Sequence, residues 1–107
     1  MALDFIHYVS LLAKAKVQTE QAEQRAAQDR VHVQEALKTL ASRATSILER
    51  GDANLAHGYE IAFLDSALAN VDKADREHEV SCAQMRAAQE RETLLEGIVA
   101  GLKDEQA

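Results

Sequence analysis

No proline interrupts this chain of 107 residues, and its one strong helix-breaking cluster, Arg50-Gly51-Asp52-Ala53-Asn54, falls almost at the midpoint. Proline removes a backbone donor and clashes with the preceding turn, so its absence leaves helix open along the whole length. Gly51 suits the left-handed position just past a helix C-terminus. Asp52 or Asn54 can accept from the free N–H groups that open the next helix. Gly58 extends the break by a further turn. The expected organisation is one domain over residues 1–107, with a first helix at about 3–49, a turn at about 50–54 and a second helix at about 54–104.

Composition decides what two such helices can bury. Apolar residues make up 47% of the chain, but many are alanine, and there are only two Phe, two Tyr and no Trp. Alanine favours helix because it loses no side-chain entropy, yet it buries little surface. A thick globular core cannot be filled from this stock, whereas a narrow seam can. The expected fold is therefore all-α, a long antiparallel two-helix coiled-coil hairpin whose stability accumulates along its length.

Heptad spacing, with alternating steps of three and four residues, gives each helix a candidate seam. In the first helix it runs through Phe5, Val9, Leu12, Lys16, Thr19, Glu23, Ala26, Arg30, Val33, Leu37, Leu40, Ala44 and Ile47. In the second it runs through Leu64, Ala67, Val71, Ala74, His78, Ser81, Met85, Ala88, Glu92, Leu95, Val99 and Leu102. Both seams have apolar ends and a polar middle. Folding the chain at its midpoint sets Leu37 against Val71, Leu40 against Ala67, Leu12 against Leu95 and Val9 against Val99. It also sets Lys16 against Glu92, where the two charges neutralise one another, and Arg30 near His78.

Net charge is −6, with 12 basic residues interleaved among the acids. A nucleic-acid or anionic-membrane partner needs a basic field, so neither is expected. Pairs such as Asp72 and Arg76 suit a solvated helix surface. One cysteine, Cys82, cannot form an internal disulfide, which fits a reducing, cytoplasmic setting. The opening segment lacks the basic n-region of a secretory signal, and no run reaches the ~20 apolar residues of a membrane span.

The segments near the two termini carry more apolar residues than one seam needs. Phe5, Ile6, Tyr8, Val9, Leu11 and Leu12 wrap much of the first helix, and Leu94, Leu95, Ile98, Val99 and Leu102 do the same on the second; of these, Phe5, Tyr8, Leu11, Leu12, Leu95, Ile98 and Leu102 are the expected docking residues. Such a surface marks a candidate docking site for a protein partner or a second copy. Gly97 and Gly101 share the spacing of the membrane helix-dimer motif, but the apolar run there is under half a span and holds Glu96. Close helix approach or a soft helix end accounts for them. Arg50-Gly51-Asp52 spells an adhesion tripeptide, although a glycine followed by a capping residue is what any helical hairpin requires. No Gly-rich phosphate loop or nucleophile-elbow motif is present, so no enzymatic activity and no cofactor are expected.

The layout resembles the FliJ/YscO family of coiled-coil stalk proteins from flagellar and virulence type III export systems. The resemblance rests on the Phe-x-x-x-Val-x-Leu-Leu-x-x-Ala-Lys opening from Phe5 to Lys16 and the Glu20-Gln21-Ala22-Glu23-Gln24-Arg25 heptads. It continues in the aromatic-led run of Tyr59, Phe63, Leu64, Leu68 and Val71, and in the charged stretch from Gln89 to Glu96. The chain is shorter than is usual in that family, and its Tyr59-to-Phe63 spacing is one residue longer. The resemblance implies a hairpin whose terminal end enters the export ATPase ring. Phe63, Leu64 and Leu68 would then face the export gate or escort chaperones, with no nucleotide bound by the chain itself. The alternative is a small dimeric helical bundle acting as an adaptor, inhibitor or secretion chaperone.

His78 and Cys82 stand one helical turn apart, with Asp75 and Glu79 nearby, but zinc needs four ligands and no second pair accompanies them. A chelator is expected to leave the melting curve unchanged. Stoichiometric zinc in the purified protein would contradict that expectation.

Overall fold

The computed structural model describes residues Ala2–Glu49 and Gly58–Gln106, with side chains placed over 4–49 and 62–105. Both described segments are α-helical throughout: α1 spans Ala2–Glu49 and α2 spans Gly58–Gln106. The two helices pack against each other as an antiparallel hairpin, as the sequence leads one to expect. The first helix was expected over about 3–49, and α1 matches it to within a residue. The turn expected at 50–54, and the first residues of the second helix as expected, lie outside the described residues. Asp4 in the first turn of α1 and Lys103 in the last turn of α2 each carry the sign that the helix dipole favours.

The pair comprises two compact units, one formed by Met1–Ala26 with Val80–Ala107 and the other by Ala27–Glu79. In the first unit the deepest residues are small. Ala15, Thr19 and Ala26 of α1 and Ser81 and Ala88 of α2 are buried. The Thr19 hydroxyl lies 2.9 Å from the carbonyl oxygen of Ala15, one turn back, and 3.2 Å from that of Ala88 on the other helix. One hydroxyl proton serves both acceptors, so the bond is shared or alternates between them. A side chain this short can reach the opposite backbone only if the helix axes approach the near end of the usual range of roughly 8–10 Å. Gln89 Nε2 donates to Glu23 Oε1 at 3.2 Å, and Arg91 Nη1 donates to Gln18 Oε1 at 3.1 Å, along the exposed edge.

In the second unit the buried residue is Ala67. Arg43 of α1 reaches α2 there, donating from Nη1 to the Phe63 carbonyl oxygen at 3.4 Å, with its guanidinium carbon 5.5 Å from the centre of the Phe63 ring. His32 Nδ1 stands 3.8 Å from Asp29 Oδ1, a pair that is ionic only while the imidazole is protonated.

The seam of α2 follows the expected frame position by position, from Leu64 and Ala67 through to Val99 and Leu102, each buried or half-buried. The frame expected for α1 is half right. Phe5, Leu12, Thr19, Ala26, Val33, Leu40, Ala44 and Ile47 do lie inward. Between them, however, the structure uses Tyr8, Ala15, Ala22, Asp29 and Ala36, while Val9, Lys16, Glu23, Arg30 and Leu37 are exposed. The inward row turns one residue earlier because alanine permits the close approach that Thr19 needs, and because it leaves Lys16, Glu23 and Arg30 in water. Weight given to the bulk of Val9 and Leu37 pointed to the wrong row. Leu37 therefore does not take the expected seam place against Val71, and it is the carboxylate of Asp29, not the cation of Arg30, that shares the seam with His78.

Packing of this kind makes smallness the critical property. Ala67→Leu is expected to cost on the order of 1–3 kcal/mol in urea unfolding through overpacking. Ala69→Leu, two residues away on the exposed side, should stay within about 0.5 kcal/mol of the wild type.

Candidate functional site

Small residues take the most deeply buried places of the seam, and the larger apolar ones are half-buried in it or exposed outside it. In the unit holding Met1–Ala26 and Val80–Ala107, Phe5, Tyr8, Leu11 and Leu12 of α1 and Leu95 and Leu102 of α2 are half-buried, and Ile98 is exposed. The His7 and Tyr8 rings meet edge to face, with centroids 5.5 Å apart. In the unit Ala27–Glu79, Leu64 is half-buried, while Phe63 and Leu68 are exposed. Phe63 keeps 55% of its surface open even with Arg43 stacked on it. The structure thus brings the first seven expected docking residues into one unit and the remaining three into the other.

The most open apolar residues of the first unit lie elsewhere. On α1, Ile6 is 63% exposed, and Val9, Ala13 and Val17 continue from it along a single helical face turned away from the seam. On α2, Val80, Leu94 and Ile98 are exposed, with Ala83 and Ala87 on the same face. Of these exposed residues, Ile98 is an expected docking residue and the others are not. The signal was nevertheless present in the sequence: each face repeats at helical spacing once the inner seam is subtracted.

Polar features are modest. Lys16, Val17, Thr19, Glu20, Glu23, Glu92 and Glu96 line an open recess beside the seam, which puts Lys16 and Glu92 in one neighbourhood. His78 and Cys82 are both half-buried on α2. Among the described residues no three His, Cys, Asp or Glu side chains gather in a group able to hold a metal ion. Nor is any described helix long and apolar enough to cross a membrane. Arg50-Gly51-Asp52 lies outside the described residues. Comparisons with protein-family models, with curated proteins and with solved structures return no significant match to this chain.

Gly97 and Gly101 lie near the end of α2. A Cβ built on Gly97 or on Gly101 meets no atom within 4 Å. Neither glycine is there to let α1 come close, which removes that explanation for the spacing noted in the sequence. Gly97→Ala should accordingly raise the stability of the chain by about 0.5–1 kcal/mol through helix propensity, measured as a higher midpoint in thermal or urea unfolding. An unchanged or lower midpoint would mean that α2 is not an intact helix at this position.

Proposed function

We propose that this chain is a non-enzymatic helical interaction protein, which engages a protein partner through the exposed apolar face of α1 that carries Ile6, Val9 and Val17. The observation that carries the reading is the division of labour between small and large apolar residues. Alanine, threonine and serine hold the helices together, while Ile6, Val9 and Val17 stay in water on a face that the hairpin does not use. Apolar surface repeated along one helix face is relieved by association, and a rigid helix presenting it fits a groove or a neighbouring helix. Phe5, Tyr8, Leu11 and Leu12 are only half-buried, so a partner covering this end of α1 would meet part of their surface as well.

The particular setting in this reading is that of a central stalk or escort in a type III export ATPase, in the cytoplasm, with the ATPase ring, the export gate or export chaperones as partners. Its support is the sequence resemblance together with the antiparallel pairing of two long helices. Phe63, Leu64 and Leu68 are the residues that would face the gate or a chaperone.

The test is binding of the full chain to the purified export ATPase of its own cell, with Ile6→Ser and Val17→Ser combined as the variant. Helix content and unfolding midpoint should remain within about 0.5 kcal/mol of wild type, since both residues lie off the seam. Affinity should fall at least tenfold, as for loss of a central apolar contact. No binding by the wild type would dismiss the stalk role. Equal binding by the variant would move the contact off this face.

A further inference from the structure

The outer face of α2 has an internal symmetry that the partner reading above does not use. Val80, Ala87, Leu94 and Gly101 recur every seventh residue, and Ala83, Gln84, Glu90, Arg91, Gly97 and Ile98 fill the rows between them. All ten are exposed. Val80 at 57%, Leu94 at 69% and Ile98 at 41% are the large apolar members. If this face meets itself across a two-fold axis with the helices antiparallel, the axis passing between Glu90 and Arg91, each row finds a complement. Leu94 falls against Ala87, Ile98 against Ala83, and Val80 against Gly101, so every large side chain lies opposite a small one or none. Glu90 falls against Arg91, and the symmetry makes that opposite-charge pair twice.

We propose that the outer face of α2, from Val80 to Gly101, is the interface of an antiparallel homodimer with its axis between Glu90 and Arg91. Self-complementarity is what a two-fold contact demands, since residue i meets residue j and j meets i. A heterologous partner would place no such condition on the sequence. Two separate observations converge here. One is the alternation of size and charge about a single point. The other is the glycines: each weakens the helix, and neither is crowded by any atom of its own chain. Across the axis they become the places where the partner's Val80 and Gln84 come down. Arg91 already donates to Gln18 at 3.1 Å. Its guanidinium has five donors, so a second acceptor from the partner adds to that bond without displacing it. The face of α1 carrying Ile6 and Val17 is not used, so the dimer and the proposed partner site stand or fall separately.

Charge reversal on the full chain tests the register. The wild type should sediment as a dimer with a concentration-dependent dissociation. Glu90→Arg alone sets arginine against arginine, and Arg91→Glu alone sets glutamate against glutamate. Each should weaken the dimer on the order of tenfold or more at low salt, with helix content unchanged by circular dichroism. An equimolar mixture of the two variants should restore association as a heterodimer, because each chain then offers the other the complementary pair. Gly101→Leu should strengthen the helix yet weaken the dimer, a combination that a purely intramolecular role for this segment does not produce. A wild type that stays monomeric at every concentration, which would leave the face to a different protein, overturns the proposal. So do single variants that dimerise as well as wild type, or a mixture no better than its components.

Discussion

Close approach of two helix backbones is the constraint from which the other features of this protein descend. The hydroxyl of Thr19 reaches the carbonyl of Ala88 at 3.2 Å where the buried neighbours Ala15 and Ala88 carry no more than a methyl group. With the helices this near, the most deeply buried places go to small residues, while the leucine, isoleucine and phenylalanine of the seam stay half-buried. The usual economy of a small domain, in which large apolar side chains are hidden first and alanine is left over, is inverted here. Each buried methyl contributes only on the order of 0.8 kcal/mol, so the fold draws on many weak layers in place of one strong core.

That inversion links packing to function. A hairpin held by small residues is stiffened by backbone proximity and by side-chain ties along its edges, such as Arg91 to Gln18 and Arg43 to Phe63. It has its larger apolar residues to spare for other surfaces. The net charge of −6 keeps such a molecule dispersed, while charges of both signs on the outer faces limit which surfaces can meet. The exposed apolar rows therefore stand among charges of both signs. Their position on rigid helices means that little conformational entropy is lost when they are covered.

Much of this was legible in the sequence, and what was not has a definite cause. The seam of α2 could be read directly, because polar and apolar residues alternate there with little competition between rows. In α1 two rows compete. The row with Val9 and Leu37 offers bulk, and the row with Ala15, Ala22 and Ala36 offers closeness, and a hydrophobicity scale ranks the first above the second. Only the geometry of Thr19 against Ala88, which depends on the partner helix, decides for alanine. The charges at Lys16, Glu23 and Arg30 pointed the same way and deserved more weight than the two aliphatic residues. Candidate docking residues were drawn from the richest apolar segments, but richness does not say which face is covered. Phe5, Leu12, Leu95 and Leu102 lie in the seam, half-buried, while Ile6, Val17, Val80 and Leu94 keep the open positions.

The acceptor opposite Thr19 is a main-chain carbonyl, and a main-chain carbonyl is present whatever residue occupies position 88. The architecture therefore asks for compactness at Ala15, Ala26, Ala67, Ser81 and Ala88, not for any one chemical identity, and glycine, alanine or serine would satisfy most of those places. Elsewhere it asks only for a helix-forming residue of suitable polarity. A lineage under such loose demands can exchange nearly every letter of its sequence by small steps while the two helices remain in register, so kinship among proteins built this way outlives any resemblance between their sequences.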